Sequence, residues 1–304
     1  MTPSLPWIQP AFSQVVAEVR ANRLAHALLV EGDKGTGLEM LADAVCRYRL
    51  CHQPLEQACG QCKSCQLLEA GTHPDIKVLE PTGAGAVIKV DQVREAVNFL
   101  SQTPQISQWK LVWVSSAHRM NINAANALLK VLEEPPGNSL LLIVTDRPQL
   151  LIPTVRSRCR KLVLARPTNS ETKAYCLEQG VSESQLVELV PMIGSRPITI
   201  CEWVSGGQHA RWKILVEGLE RFKENKLSTA KLTDSLKDID LLDILEWLMQ
   251  LAASEAKNTE SDSRLTWSTL YQWLVKSRQE AERGMNPNRQ LLLDECFLRW
   301  KAAF

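Results

Sequence analysis

The sequence predicts an α/β protein in which a parallel-sheet domain comes first and the second half of the chain contains helices alone. Between residues 26 and 165, short apolar runs alternate with helical patterns, which is typical of βαβ units and a parallel sheet. From residue 208 to residue 304, apolar residues recur only at helical spacing. We therefore expect an α/β domain at 1–165 with a cysteine-rich insert at about 51–65, a small helical domain at 166–205, and an all-helical C-terminal domain at 208–304.

The composition limits the functional classes. The chain has 304 residues, a hydrophobic fraction of 45% and a net charge of +1, so it lacks the basic field that favours strong, autonomous nucleic-acid binding. No apolar run approaches the roughly 18 residues of a membrane span. The stretch MTPSLPWIQP lacks the basic start and apolar core of a secretory signal. We expect a cytoplasmic protein without a membrane partner.

The elements of the α/β domain are predicted in chain order. Apolar runs predict strands at residues 26–30, 76–79, 109–114, 140–145 and 162–164. Periodicity predicts helices at residues 12–23, about 39–50, 123–134, 148–151 and 153–157, and one helix that Asp91 caps at its N-terminus. Ser205, Gly206 and Gly207 are predicted to form a linker.

Three apolar stripes mark the C-terminal helices. Because such stripes usually form a core, we expect most of these side chains to be buried, and a minority to contact other chains. The stripes are Trp212, Leu215, Leu219 and Phe222; Leu241, Ile244, Leu245 and Leu251; and Trp267, Leu270, Tyr271 and Leu274.

The first strand, a glycine-rich turn and a helix have the layout of a phosphate-binding loop, G-x-x-x-x-G-K-[ST]. Gly32 and Gly37 stand at the two glycine positions, with Gly35 between them. Leu38 replaces the lysine that reaches the phosphates, and Glu39 replaces the hydroxyl that binds Mg²⁺. An apolar side chain cannot neutralise phosphate charge and a carboxylate repels it, so this degenerate loop predicts that the chain binds no ATP.

The third strand carries a second change at the same predicted site. In nucleoside triphosphatases of this layout the strand ends in Asp-Glu, which handle Mg²⁺ and the attacking water. Here it ends in Ser115 and Ser116, whose hydroxyls cannot replace that charge. Two independent changes predict that hydrolysis is absent, although an active ATPase with an atypical loop stays open as an alternative.

Cys51, Cys59, Cys62 and Cys65 follow the pattern C-x7-C-x2-C-x2-C. Two-residue spacers let successive thiolates surround one ion, and four thiolates form a closed tetrahedral site, which predicts a structural Zn²⁺. Free surface thiols are the alternative. Cys46, on the preceding helix, is predicted to be a core residue.

A family resemblance becomes specific between residues 126 and 159. The run NALLKVLEEPP, a strand ending in Thr145, the motif RSRC and the four-cysteine insert resemble clamp-loader subunits of the AAA+ superfamily, in particular those of bacterial DNA polymerase III. The loader contains one subunit type that lacks both nucleotide motifs yet keeps the Ser-Arg-Cys motif and the zinc module. The resemblance covers all three predicted domains, which would then be the nucleotide-binding-like, lid and collar domains.

The resemblance implies roles for several residues. Ser157, Arg158 and Cys159 would form the arginine-finger motif, with Arg158 acting catalytically in trans on ATP that a neighbouring motor subunit binds. A guanidinium suits this role because it is planar and always charged. Thr145 would occupy the sensor position with no local ATP to sense. The flanking arginines, Arg156 and Arg160, are expected to be solvated charges.

Two further positions follow from the resemblance. The motor subunits carry Gly-Ser-x-Arg in the lid domain, whereas Gly194, Ser195 and Arg196 are followed here by Pro197, so the nucleotide-contacting arginine would be missing. Arg94 would contact a DNA phosphate within the assembled loader, or it would be an ordinary exposed arginine.

The implied partners are the motor subunits and the delta subunit in a hetero-pentamer. Primed DNA would be bound through the complex, and the sliding clamp would be contacted indirectly. The chain would be part of a nucleotidyltransferase holoenzyme with structural Zn²⁺ as its cofactor and no ATPase activity of its own. An independent zinc-containing DNA-binding protein is a further alternative.

Overall fold

The computed structural model describes residues 5–82, 87–259, 261–282 and 288–303. The chain forms two compact units: Met1–Gly180 with Ser195–Thr199, and Val181–Gly194 with Ile200–Phe304. The division into three domains stays a prediction. The sequence also predicts a small-residue turn at 81–86 and a break between helices at 285–288, and most of both lies outside the described residues.

The first unit contains a five-stranded sheet in which every pair of neighbouring strands is parallel. The strands are β1 (Ala27–Glu31), β2 (Ile76–Leu79), β3 (Lys110–Val114), β4 (Ser139–Thr145) and β5 (Arg160–Val163), in the order β2-β3-β4-β1-β5. The predicted α/β class is confirmed. Strand β5 begins two residues earlier than predicted, because Arg160 and Lys161 pair through their backbones with Leu28 and Leu29 of β1.

Helices cover both faces of this sheet, as the apolar strands predict. They are α1 (Gln9–Arg20), α2 (Leu38–Leu50), α3 (Lys63–Glu69), α4 (Val90–Leu100), α5 (Ile122–Ala127), α6 (Leu129–Glu133), α7 (Pro153–Arg156) and α8 (Asn169–Glu178), with short 3₁₀ helices at Ala117–Arg119 and Pro148–Leu150. Leu28 and Val30 pack with α1 and α2, whereas Leu29 packs with α4 and α5 on the other face. Cys46 is buried in the first of these cores, as predicted.

Two predictions about these helices are wrong in detail. Asp91 is not the N-cap of α4, because the helix begins at Val90 and the Lys89 amide donates to the Gln92 side chain at 2.8 Å. The helix predicted at 123–134 is divided into α5 and α6, which meet at Leu128.

The second unit is helical throughout the residues that the structure describes. It contains α9 (Glu183–Ile193), most of α10 (Pro197–Ser205), α11 (Gln208–Lys223), α12 (Thr229–Ser235), α13 (Leu241–Asn258), α14 (Ser261–Glu282) and α15 (Arg289–Ala302). The predicted stripes are largely buried, except that Tyr271 is exposed. Gly206 and Gly207 form a tight turn between α10 and α11, and the role of this turn as a domain linker stays a prediction. No described helix is long and apolar enough to cross a membrane.

A buried ion pair joins β3 to the segment before β2. Lys110 Nζ lies 3.1 Å from Asp75 Oδ1, and their side chains are 2% and 0% exposed. Asp75 also accepts the backbone N–H groups of Gln105, Ile106 and Ser107 at 2.7 to 2.8 Å. Burial alone would raise the pKa of Asp75, but these backbone donors and Lys110 together lower it to about 2. The carboxylate is therefore ionised and fully partnered inside the fold.

Candidate functional site

The degenerate phosphate loop lies between β1 and α2, where a nucleotide-binding loop belongs in this fold. Gly35 and Gly37 have φ values of +77° and +102°, which other residues adopt only with strain. Leu38, at the lysine position, is 7% exposed and belongs to the core beneath α1 and α2. The side chain that would reach phosphate in a working loop is therefore part of the hydrophobic core.

Side chains of the same chain cover the loop from outside. A Cβ placed on Gly35 would lie 1.9 Å from Thr199 Oγ1, and one on Gly37 would lie 2.8 Å from Ile8 Cδ1. The Ile198 amide donates to the Gly35 carbonyl at 3.1 Å. The start of α10, where Pro197 stands at the predicted arginine position, is thus hydrogen-bonded to the loop itself.

The two altered positions at this site contact each other. Ser115 Oγ donates to Glu39 Oε1 at 2.8 Å, across 76 residues of sequence. Burial raises the pKa of Glu39, the Ser115 hydrogen bond opposes that rise, and the nearby carboxylates Glu80 and Asp146 add to it. Three acidic side chains therefore lie near the place of a bound triphosphate, which they would repel. Ser116 follows in a left-handed conformation.

The hydroxyl of Thr145, at the predicted sensor position, forms hydrogen bonds within the chain. Thr145 is buried at the end of β4, and its Oγ1 accepts the Arg147 amide at 3.1 Å. His118 Nδ1 lies 3.1 Å from the same oxygen and 3.2 Å from Asp146 Oδ1. Burial lowers the pKa of His118.

Arg158 lies just after α7 and is 37% exposed. Its Nε and Nη2 lie 2.8 and 2.6 Å from Glu133 Oε1, and Nη1 donates to the Thr154 carbonyl at 3.1 Å. Ser157 Oγ donates to the same carbonyl at 3.2 Å. Burial raises the pKa of the Cys159 thiol to about 12, so Cys159 is a core residue and not a reactive thiolate.

The other predicted cations behave differently. Arg160 forms an ion pair with Glu18 of α1 and is partly buried, and Arg156 is also partly buried, so both depart from the expected solvated charges. Arg94 lies near the start of α4 and is 68% exposed, with its Nη1 3.4 Å from Asp91 Oδ1. This position leaves Arg94 accessible to an external anion.

The four predicted cysteine ligands come together. All four sulfurs lie within 4.8 Å of one another, with 4.0 Å between Cys51 and Cys62 and 3.9 Å between Cys59 and Cys65. A tetrahedral zinc–thiolate site with bonds of about 2.3 Å requires sulfur–sulfur distances of about 3.8 Å. The donor set and its spacing therefore fit one metal ion.

Backbone N–H groups point at these sulfurs, as thiolate ligands require. The amides of Cys59, Cys62 and Cys65 donate to the sulfurs of Cys51, Cys59 and Cys62 at 3.3, 3.4 and 3.5 Å. Backbone donors at Gln61 and Cys62 lower the pKa of Cys59 to about 6. At neutral pH, Cys59 is therefore ready to bind a metal as a thiolate.

A buried hydrogen-bond chain connects the cysteine module, the insert at about 51–65 that carries the four cysteines, to the sheet. The Asp75 amide donates to His73 Nδ1 at 3.0 Å, so neutral His73 carries its proton on Nε2. That nitrogen lies 2.9 Å from Ser64 Oγ, which donates to the Leu50 carbonyl at 2.7 Å. Burial lowers the pKa of His73, which favours this neutral form. The module is thus connected through polar contacts to the ion pair of Asp75.

Sequence reasoning missed Glu133, Asp75 and Thr199. Glu133 stands within the recognised LEEPP run, but its pairing with Arg158 spans 25 residues and depends on the packing of two short helices. The spacing of charged residues therefore gave no signal for this contact.

Comparisons with known proteins identify relatives of the chain. A family model described as "DNA polymerase III, delta subunit" matches residues 8–168. DNA polymerase III subunit delta' of Pseudomonas aeruginosa is 35% identical over 320 residues, covering 97% of this chain and 96% of that protein. The Escherichia coli subunit delta' is 44% identical over 181 residues, covering 59% of this chain and 54% of that protein.

A solved structure shows the same fold. The DNA polymerase III gamma subunit-related protein of Thermotoga maritima superimposes with a TM-score of 0.58 at 20% identity, covering 95% of this chain and 99% of that one. The chain therefore shares the fold of that protein, in which a parallel α/β module is followed by helices. The sequence match over 97% of the chain identifies its family more narrowly than the fold does. It belongs to the DNA polymerase III subunit delta' family.

Proposed function

We propose that this chain is a non-hydrolysing subunit of the bacterial sliding-clamp loader, and that it supplies Arg158 in trans to ATP on a neighbouring motor subunit. The observation that carries the proposal is the burial of Leu38 in the core at the position of the phosphate-binding lysine. The hydrogen bond between Glu39 and Ser115 at the magnesium and carboxylate positions supports it.

The chemistry of the loop argues against a bound triphosphate. ATP needs cationic donors and a coordinated Mg²⁺, whereas this loop offers a buried leucine and nearby carboxylates. Thr199 packs against Gly35 and Ile8 packs against Gly37, so the loop has little room to change its shape around a ligand. Several contacts, and not one substitution alone, therefore support the proposed loss of hydrolysis.

Arg158 retains what a trans-acting arginine needs. It is accessible, permanently charged, and its three contacts use at most three of its five N–H donors. In related phosphoryl-transfer systems an arginine supplied in trans raises the rate by about 10³ to 10⁵. We assign Arg158 the same stabilisation of charge that develops on the transferred phosphoryl group.

The four cysteines are proposed to bind one structural Zn²⁺. Four thiolates close the coordination sphere and leave no position for substrate, so the ion would stabilise the module and not catalyse. Cys51, Cys59, Cys62 and Cys65 would hold it. In the assembled loader the second unit would provide the collar contacts, with the motor and delta subunits as partners in a hetero-pentamer.

DNA is proposed to be bound through the complex in the cytoplasm. Arg94 is exposed on α4 and would contact a phosphate of primed DNA, and the sliding clamp would be reached through the other subunits. The net charge of +1 is consistent with weak DNA binding by this chain alone.

Two measurements test the proposal. The isolated chain should show no ATP binding in the presence of Mg²⁺, and a micromolar affinity would refute the proposal in favour of an active ATPase.

The Arg158→Ala variant should fold and assemble normally but should lower the DNA-stimulated ATPase of the reconstituted loader at least tenfold, because a trans arginine acts on the rate. Arg166→Ala is the matched control, since Arg166 is also an exposed arginine in an ion pair. An unchanged ATPase with Arg158→Ala would refute the finger role.

A further inference from the structure

We infer that Glu133 is a positioning residue for Arg158: through its Oε1 atom it orients the guanidinium that the proposed trans reaction uses. This inference rests on the proposed function. The contact that carries it is a fork in which one oxygen accepts from two nitrogens of the same guanidinium, at 2.8 Å from Nε and 2.6 Å from Nη2.

Both partners stand on backbone that the core fixes. Glu133 ends α6, whose Val131 and Leu132 are buried. Arg158 lies between Val155 and Cys159, which are buried in the same core as that helix. Because buried neighbours anchor both backbones, the side-chain contact defines where the guanidinium lies.

The contacts fix the arginine without using all of its donors. Glu133 takes the Nε edge and the Thr154 carbonyl takes one hydrogen of Nη1. A guanidinium has five N–H groups, so two remain for a phosphate. A free arginine loses considerable rotamer freedom when it binds, and an arginine already oriented loses less.

An alternative role for Glu133 is to neutralise Arg158 and oppose phosphate binding. The two roles can be separated by mutation because both nitrogens of Arg158 contact a single oxygen atom of Glu133. A glutamine keeps an acceptor oxygen at that position and removes the charge, whereas an alanine removes both. Positioning depends on the acceptor, but opposition to phosphate depends on the charge.

The test compares Glu133→Gln and Glu133→Ala in the loader reconstituted with its own motor subunits. We expect Glu133→Ala to lower the kcat of the DNA-stimulated ATPase by about two- to fivefold, the range that an exposed, well-oriented ion pair can supply, with the KM for ATP unchanged. Glu133→Gln should restore most of the wild-type kcat. The control is Glu134→Ala, which removes the neighbouring exposed carboxylate. Gel filtration should show the same assembly for every variant.

Other outcomes overturn the inference. A rise in ATPase with both variants would identify Glu133 as an opposing charge, and wild-type kcat with Glu133→Ala would show that it does not position Arg158. The Arg158→Ala variant separates the two proposals. If it impairs the loader while Glu133→Ala does not, only the positioning role fails; if it has no effect, the finger role fails as well. In the Arg158→Ala background, Glu133→Ala should have no further effect.

Discussion

Replacing Asp75 by Asn should strongly destabilise the first unit at neutral pH. The substitution leaves Lys110, which is 2% exposed, without its counter-charge, and it weakens the acceptor for three backbone N–H groups. Removing one partner of a buried ion pair typically costs about 3–5 kcal/mol. An independent figure comes from the pKa of Asp75, which falls to about 2 in the fold. Against about 3.9 in an unfolded chain, the difference corresponds to roughly 2–3 kcal/mol for the ionised form.

The pH dependence has a defined sign. Because the folded pKa of Asp75 is lowered, the unfolded state takes up the proton first as pH falls. The contribution of the carboxylate to the free energy of unfolding is therefore complete above about pH 4 and is lost between about pH 4 and pH 2. The Asp75→Asn variant lacks this titration, so its stability should fall less steeply over the same range.

Urea unfolding followed by circular dichroism at several pH values measures both effects. Hydrogen exchange at Lys110–Val114 localises them, since β3 should lose protection while the helices of the second unit keep theirs. Asp91→Asn is the matched control, because Asp91 is exposed and should change the free energy of unfolding by less than about 0.5 kcal/mol. A loss below about 1 kcal/mol for Asp75→Asn, with the acid dependence retained, would refute the assigned role of the pair.

Two further predictions concern the metal module and the loop. Metal analysis should find about one zinc per chain, and Cys62→Ser should release it and lower the thermal stability of the module; a wild-type chain without bound metal would contradict the assignment. Leu38→Ala should cost about 2–4 kcal/mol of unfolding free energy, because Leu38 is buried, whereas Leu55→Ala at an exposed site should cost less than about 0.5 kcal/mol; equal costs would show that Leu38 is not a core residue.

The sheet was predictable because its strands are apolar on both faces. The run LLLIVT indicated β4, and all seven residues of that strand are buried. Strand β5 was predicted two residues late because Arg160 and Lys161 pair by their backbones, which leaves no trace in hydrophobicity. The N-cap of α4 was misplaced because Asp91 is a good capping residue by type. In the structure the N-cap is Lys89, whose backbone N–H donates to the Gln92 side chain.

The candidate site was predictable only where its residues are close in sequence. The cysteine spacing predicted four sulfurs that the fold brings together. The contacts of Arg158 with Glu133 and of Glu39 with Ser115 link distant segments, so they depend on tertiary packing and not on spacing. Changes at Leu38 and Ser115 predicted a degenerate loop, but not that Thr199 would cover it.

The covered loop changes how this subunit should respond to its surroundings. A ligand that binds only the folded state stabilises a protein by an amount that depends on the ligand's concentration. The loop is instead packed and covered by side chains of its own chain, namely Leu38, Ile8 and Thr199. Unlike a free ligand, these side chains have no concentration that can rise or fall. The shape of this loop is therefore expected to be independent of the ATP supply. If the chain acts in the proposed loader beside subunits that bind and release nucleotide, it would provide one constant geometry.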